Sequence, residues 1–189
     1  GLKEIFGIVN KSLALKASYL CTLITRADMI VIAAFLVSWA VKVGDNYGLT
    51  AEAATQKAAF PMIAMSVVAL ISFPVVGILL DKWGRMPTII LSLISGGTGM
   101  VLLSICPGPF SGVVFICVML VAFGIAGSMA GANTLATDAS PGGMVGTVLG
   151  GLNTMQPIGI LFFVGLGGYL FDAFGPGWAF VIKGVANLI

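Results

Sequence analysis

Long uncharged apolar runs recur along this chain and are separated by short polar stretches. An α-helix needs about 20 such residues to cross the roughly 30 Å hydrocarbon layer of a bilayer. Because lipid offers the backbone no hydrogen-bond partner, runs of this length are predicted to be helices and not open strands. The pattern predicts five full spans and an incomplete sixth, at about residues 17–41, 58–80, 88–105, 112–137, 145–171 and 177–189.

The two ends of the chain depart from this simple series. Residues 1–16 place apolar side chains at helical spacing among lysines and other polar residues, which is typical of an amphipathic helix on a cytoplasmic membrane surface. A solvated linker is the alternative. The last run, residues 177–189, is too short to reach the far side, and the chain begins with Gly1. We therefore expect the sequence to be an internal or processed piece of a longer protein.

Composition narrows the class of protein further. Hydrophobic residues make up 59% of the chain and charged residues 8%, compared with roughly 25% charged residues in soluble domains. The net charge of +2 is too small and too scattered to bind a nucleic-acid backbone. There is no histidine, and the three cysteines have no paired spacing, so a metal site, a cofactor, a histidine-activated nucleophile or a redox pair is not expected. The sequence predicts an all-α integral membrane protein whose partner is the lipid bilayer.

The distribution of cations predicts the orientation. Lys3, Lys11, Lys16, Lys82 and Arg85 all fall near the amino terminus or in the loop between the second and third spans. By the positive-inside rule these segments are cytoplasmic, which puts the protein in a cytoplasmic (inner or plasma) membrane with its amino terminus inside the cell.

The loop between the second and third spans has a distinctive sequence, Gly77-Ile78-Leu79-Leu80-Asp81-Lys82-Trp83-Gly84-Arg85. Gly77 would allow close approach of helices, and Gly84 would allow a tight reversal between two spans. The spacing resembles the signature loop of the major facilitator superfamily, a family of membrane carriers. The family pattern has one more basic residue, and Met86 stands in its place here.

This resemblance implies a helical bundle that is one half of a secondary carrier, built as a three-plus-three inverted repeat. The carrier would move small solutes by alternating access, with Asp81 and Arg85 bridging helix ends and Arg85 close to Asp138. The fourth predicted span has no arginine, which by the resemblance favours the carboxy-terminal half. The amino-terminal half would then be the missing partner. Independently of the family, Gly168 to Gly175 repeats the Gly, Asp, Gly spacing of the loop at the end of the fifth span.

Two charged residues are predicted to lie inside the bilayer. The clean run 29–41 cannot cross alone, so the first span must extend back to about Ala17 and must include Arg26 and Asp28. Each costs about 2.5–3.5 kcal/mol at mid-bilayer, so both should have a use. They are two residues apart and point to roughly opposite sides of a helix. By resemblance this helix lines the central cavity, so we predict a role in binding substrate charge or in proton coupling; a structural ion pair with another helix is the alternative.

Further polar candidates lie on the fourth and fifth spans. Asn133, Asn153 and Gln156 would line the cavity, or would form hydrogen bonds between helices without contacting substrate. An enzyme is not expected, because an intramembrane catalytic site would need a second deeply placed carboxylate beside Asp28. A non-transporting sensor or scaffold descended from a carrier is the remaining alternative.

Overall fold

A computed structural model of the chain describes Gly7, Val9, Asn10 and residues 12–189. Between residues 12 and 189 it contains seven α-helices, one 3-10 turn and no strand, which confirms the predicted all-α class. The helices are α1 (Leu13–Thr25), α2 (Asp28–Gly44), α3 (Ala51–Lys82), α4 (Arg85–Ser104), α5 (Gly112–Asp138), α6 (Val145–Phe174) and α7 (Pro176–Leu188). Most of the predicted surface helix, residues 1–16, lies outside the described residues.

Helices α1 and α2 together make the first span. They form one apolar segment, Leu13–Tyr47, that is interrupted only at Arg26 and Ala27. Ser12 caps the start of the segment, because its hydroxyl accepts a hydrogen bond from the Leu15 amide at 3.4 Å. Including this segment, the described residues contain five helical segments long and apolar enough to cross a membrane. The chain therefore has the architecture of a polytopic membrane bundle.

The helices extend beyond the apolar runs that predicted them. Helix α3 begins at Ala51, seven residues before the predicted span, because the Thr50 hydroxyl caps the Ala53 amide at 3.3 Å. Hydropathy marks the part of a helix that lies in lipid, whereas capping decides where the helix starts. The predicted polar segment between the first two spans is therefore largely helical.

Helix α5 lies at the centre of the bundle and packs against α4, α3 and α1. Its contact with α4 is close because glycines face each other: a Cβ atom on Gly124 would lie 2.6 Å from the Cα of Gly96. Many large apolar side chains on the outer faces are exposed, among them Leu70 of α3 and Leu161 of α6. Such an outer surface suits contact with lipid or with further apolar protein.

The two halves of the described bundle show an inverted correspondence. Gly84 precedes α4 with φ 93° and ψ 169°, and Gly175 precedes α7 with φ 110° and ψ 171°. Each glycine follows an aspartate, Asp81 or Asp172, by three residues. Helix α3 packs on α5 just as α6 packs on α1. The backbone geometry thus agrees with the repeat that the Gly, Asp, Gly spacing predicts.

Candidate functional site

Arg85 joins the ends of three helices. It is the first residue of α4, and its Nη1 atom lies 3.2 Å from Asp81 Oδ1 in the last turn of α3. The same atom donates to the Leu80 carbonyl at 2.7 Å. The Nε atom donates to Asp138 Oδ2, at the end of α5, at 2.9 Å. We call Asp81, Arg85 and Asp138 the Arg85 cluster; it holds together the ends of α3, α4 and α5.

The Arg85 cluster is too exposed to contribute much to stability. The side chains of Arg85, Asp81 and Asp138 are 30%, 79% and 51% exposed, and an exposed ion pair contributes only about 0.2–1 kcal/mol. Contacts of this strength can break and re-form during a conformational cycle. Arg85 is aimed at its partners by the reversal at Gly84, whose positive φ disfavours residues with a Cβ.

Other residues of the predicted loop contribute less to the contacts between helices. Lys82 is exposed, and no salt bridge to it is found among the described residues. A Cβ atom on Gly77 would meet no atom within 4 Å, so the described residues do not make the close helix approach predicted there. At the repeat-related position, Asp172 is exposed and Pro176 stands where Arg85 stands in the first copy. Within residues 12–189, the ion-pair cluster is therefore present at one copy of the repeat and not at the other.

A second charged group lies deep inside the bundle. Asp28 forms an ion pair with Lys183 of α7, and both side chains are almost completely buried. Asn187, one turn further along α7, accepts a hydrogen bond from Lys183 Nζ at 2.7 Å and donates to the two Asp28 oxygens at 3.2 and 3.1 Å. The Lys183 ammonium also lies 4.8 Å from the centre of the Phe163 ring in α6. This network connects the first span to α6 and α7.

The network gives the Asp28 carboxylate partners within the protein. A buried carboxylate that is paired with a cation and hydrogen-bonded by an amide has the partners that a structural ion pair requires. Sequence reasoning missed Lys183 and Asn187. A signal was available, because a lysine in the middle of the last apolar run is as costly in lipid as Arg26 or Asp28.

Arg26 points elsewhere, as its two-residue separation from Asp28 predicts. It is half-buried at the interruption between α1 and α2 and lines a cavity of about 220 Å³. Ser128 of α5 and Gln156 of α6 line the same cavity. Asn153 is exposed and accepts a hydrogen bond from the Gln156 amide. Asn133 is half-buried and does not line this cavity.

Two of the three cysteines are neighbours in the fold, and all three are free thiols. The Sγ atoms of Cys106 and Cys117 lie 3.8 Å apart. Their spacing in sequence gave no signal because the turn between α4 and α5 folds the chain back and brings the residues together. The third cysteine, Cys21, is buried in α1 with its thiol near the Ser128 carbonyl.

Comparison with known proteins gives a family and three relatives. The sequence profile of the Major Facilitator Superfamily matches residues 18–189. The magnetosome protein MamH of Paramagnetospirillum magneticum is 30% identical over 187 residues, which are 99% of this chain and 43% of MamH. The magnetosome proteins MamZ of Magnetospirillum gryphiswaldense and of Paramagnetospirillum magneticum are each 27% identical over the whole chain. The chain spans less than half the length of MamH and 29% of each MamZ.

Proposed function

The chain belongs to the major facilitator superfamily, and on this basis we propose that it is part of a secondary carrier that moves a small solute across a membrane by alternating access. The Arg85 cluster is the observation that carries this proposal. Among the described residues, one side chain links three helix ends at one copy of the repeat and not at the other, through contacts weak enough to be reversible. We propose that the cluster stabilises one conformation of the transport cycle.

We further propose that this chain is the carboxy-terminal half and that a solute binds near the membrane midplane, between this half and an amino-terminal half. Support comes from the interruption of the first span at Arg26 and Ala27, because carriers commonly build their sites at broken helices. A carrier needs no pair of catalytic carboxylates inside the membrane, and we propose no enzymatic activity.

The cellular location is a separate proposal. The positive-inside pattern favours a cytoplasmic membrane with Arg85 facing the cytoplasm. The relatives are named magnetosome proteins, so in a host that makes magnetosomes we propose that the magnetosome membrane also contains this protein. Fractionation of that host, followed by detection of a tagged full-length chain, shows whether one or both membranes contain the protein.

Reconstitution tests the transport function. The full-length protein in proteoliposomes is exposed to a panel of labelled small solutes, with and without a pH gradient. Accumulation of one solute class above that in protein-free liposomes is expected, and an effect of the gradient would identify proton coupling. If the folded protein accumulates no solute, a non-transporting sensor or scaffold replaces the proposed carrier.

A further inference from the structure

The charges in the middle of the bundle do not balance. Among the described residues, three charged side chains lie well inside the spans: Arg26, Asp28 and Lys183. Asp28 and Lys183 form an ion pair and offset each other. None of the ion pairs among the described residues involves Arg26. The interior therefore holds one cation without a described counter-charge.

Such a charge is costly in a membrane. A lone arginine in apolar surroundings loses its hydration, so it is normally found beside an anion or in a wet cavity. The cavity lined by Arg26, Ser128 and Gln156, which we call the Arg26 cavity, has room for an anion. Its volume is about 220 Å³, and it borders the point where the first span is interrupted. Its lining is otherwise mostly apolar, which strengthens the interaction of Arg26 with any anion that enters.

The Gln156 amide and the Arg26 guanidinium at the cavity both suit an anionic ligand. The Gln156 amide nitrogen uses one hydrogen on Asn153 and has a second available. Thr25 and Ser128 also line the cavity, but their hydroxyl hydrogens are donated to backbone carbonyls of their own helices. The Arg26 guanidinium can donate two parallel hydrogen bonds, one to each of two oxygens of a carboxylate or phosphate group. The nearest carboxylate in sequence, Asp28, is turned into the bundle and neutralised by Lys183.

From this arrangement we infer that the Arg26 cavity binds the anionic group of the transported solute, a small carboxylate or phosphate, with Arg26 as its charge partner and Gln156 as a hydrogen-bond donor. This inference rests on the proposed function and names its substrate class. The same charge could be offset by a carboxylate of a longer protein, and the experiment separates these two sources.

The test uses the purified full-length protein in detergent and two probes, inorganic phosphate and succinate, against sodium chloride at equal ionic strength. Thermal unfolding is followed while each probe is titrated. A saturable rise in melting temperature is expected for the wild type. Arg26→Gln raises the half-saturating concentration about tenfold or more, because a charge-assisted hydrogen bond is lost. Arg26→Lys restores part of the affinity, and Lys16→Gln, a change of an exposed cation, leaves it unchanged.

Two results overturn the inference: no saturable stabilisation of the wild type by either probe, or equal stabilisation of Arg26→Gln. If the wild type shows no probe effect and Arg26→Gln melts at a lower temperature, Arg26 has its partner within the protein. Failure of the proposed function looks different: the probes stabilise the wild type through Arg26 while the reconstituted protein transports no solute. Asp81→Asn serves as a matched control, because it is expected to bind both probes as the wild type does and to transport more slowly.

Discussion

Asp28 in the first span and Lys183 in the last helix form a buried ion pair that Asn187 completes with hydrogen bonds to both partners. The residues are distant in sequence, so the pair fixes how α7 packs against the first span. Because Asp28 is engaged in this way, Arg26 is left as the charged side chain of the first span that faces the neighbouring cavity.

We predict that breaking this pair destabilises the bundle strongly and that removing both charges does less harm. Asp28→Asn or Lys183→Met alone leaves one buried charge unpaired, which costs about 3–5 kcal/mol in other proteins. The double variant should recover a large part of this loss, since neither charge remains. Melting temperatures of the four proteins in detergent form the double-mutant cycle. Additive effects would show that the two charges do not interact.

The Arg85 cluster gives a prediction with an internal control. Asp81→Asn removes one ion pair worth at most about 1 kcal/mol, so it should slow transport by up to about fivefold, while membrane insertion and abundance stay unchanged. Asp172→Asn changes the repeat-related aspartate, which has no described ion pair, and should transport normally. Uptake and abundance are measured on the same proteoliposomes. Full transport by Asp81→Asn would remove the gating role.

Helix α6 offers two glycines that should respond differently to the same change. A Cβ atom on Gly159 would overlap the Leu23 carbonyl group of α1, whereas one on Gly150 would meet nothing within 4 Å. Gly159→Ala should therefore separate α1 from α6 at a cost of about 1–3 kcal/mol, and Gly150→Ala should have little effect. The difference in melting temperature between the two variants measures the contact. Equal melting temperatures would mean that α1 and α6 do not approach this closely.

The neighbouring thiols predict a specific cross-link. Diamide should oxidise Cys106 and Cys117 to an intramolecular disulfide, with diamide itself reduced, because their Sγ atoms lie 3.8 Å apart. After denaturation, maleimide should then label Cys21 and should label neither of the other two cysteines in this part of the chain. Cys106→Ser should prevent the loss of the Cys117 thiol. Persistence of all three thiols would contradict the turn between α4 and α5.

The sequence predicts the all-α class and the five long apolar helices because hydropathy and helix length are tied to bilayer thickness. It also predicts the opposite directions of Arg26 and Asp28, which follow from helical geometry, and the proximity of Arg85 to Asp138 that the family resemblance implies. It does not identify Asp28's partner, because pairing of distant helices is a tertiary property. The start of α3 at Ala51 was missed for another reason: its first turns lie in a polar segment, and the Thr50 cap sets the boundary.

Alternating access is the central claim, and it can be tested without knowing the solute. The test asks whether a reagent reaches the centre of the bundle from each side of the membrane. Met29 lines the Arg26 cavity, and Met29→Cys is placed in the full-length protein with all native cysteines replaced. An impermeant maleimide is applied to right-side-out and to inside-out vesicles. Labelling is expected from both faces, and Asp138→Asn should shift the ratio of the two rates by up to about fivefold, as a loss of about 1 kcal/mol implies. Labelling from one face only, with no effect of Asp138→Asn, would contradict the proposed carrier.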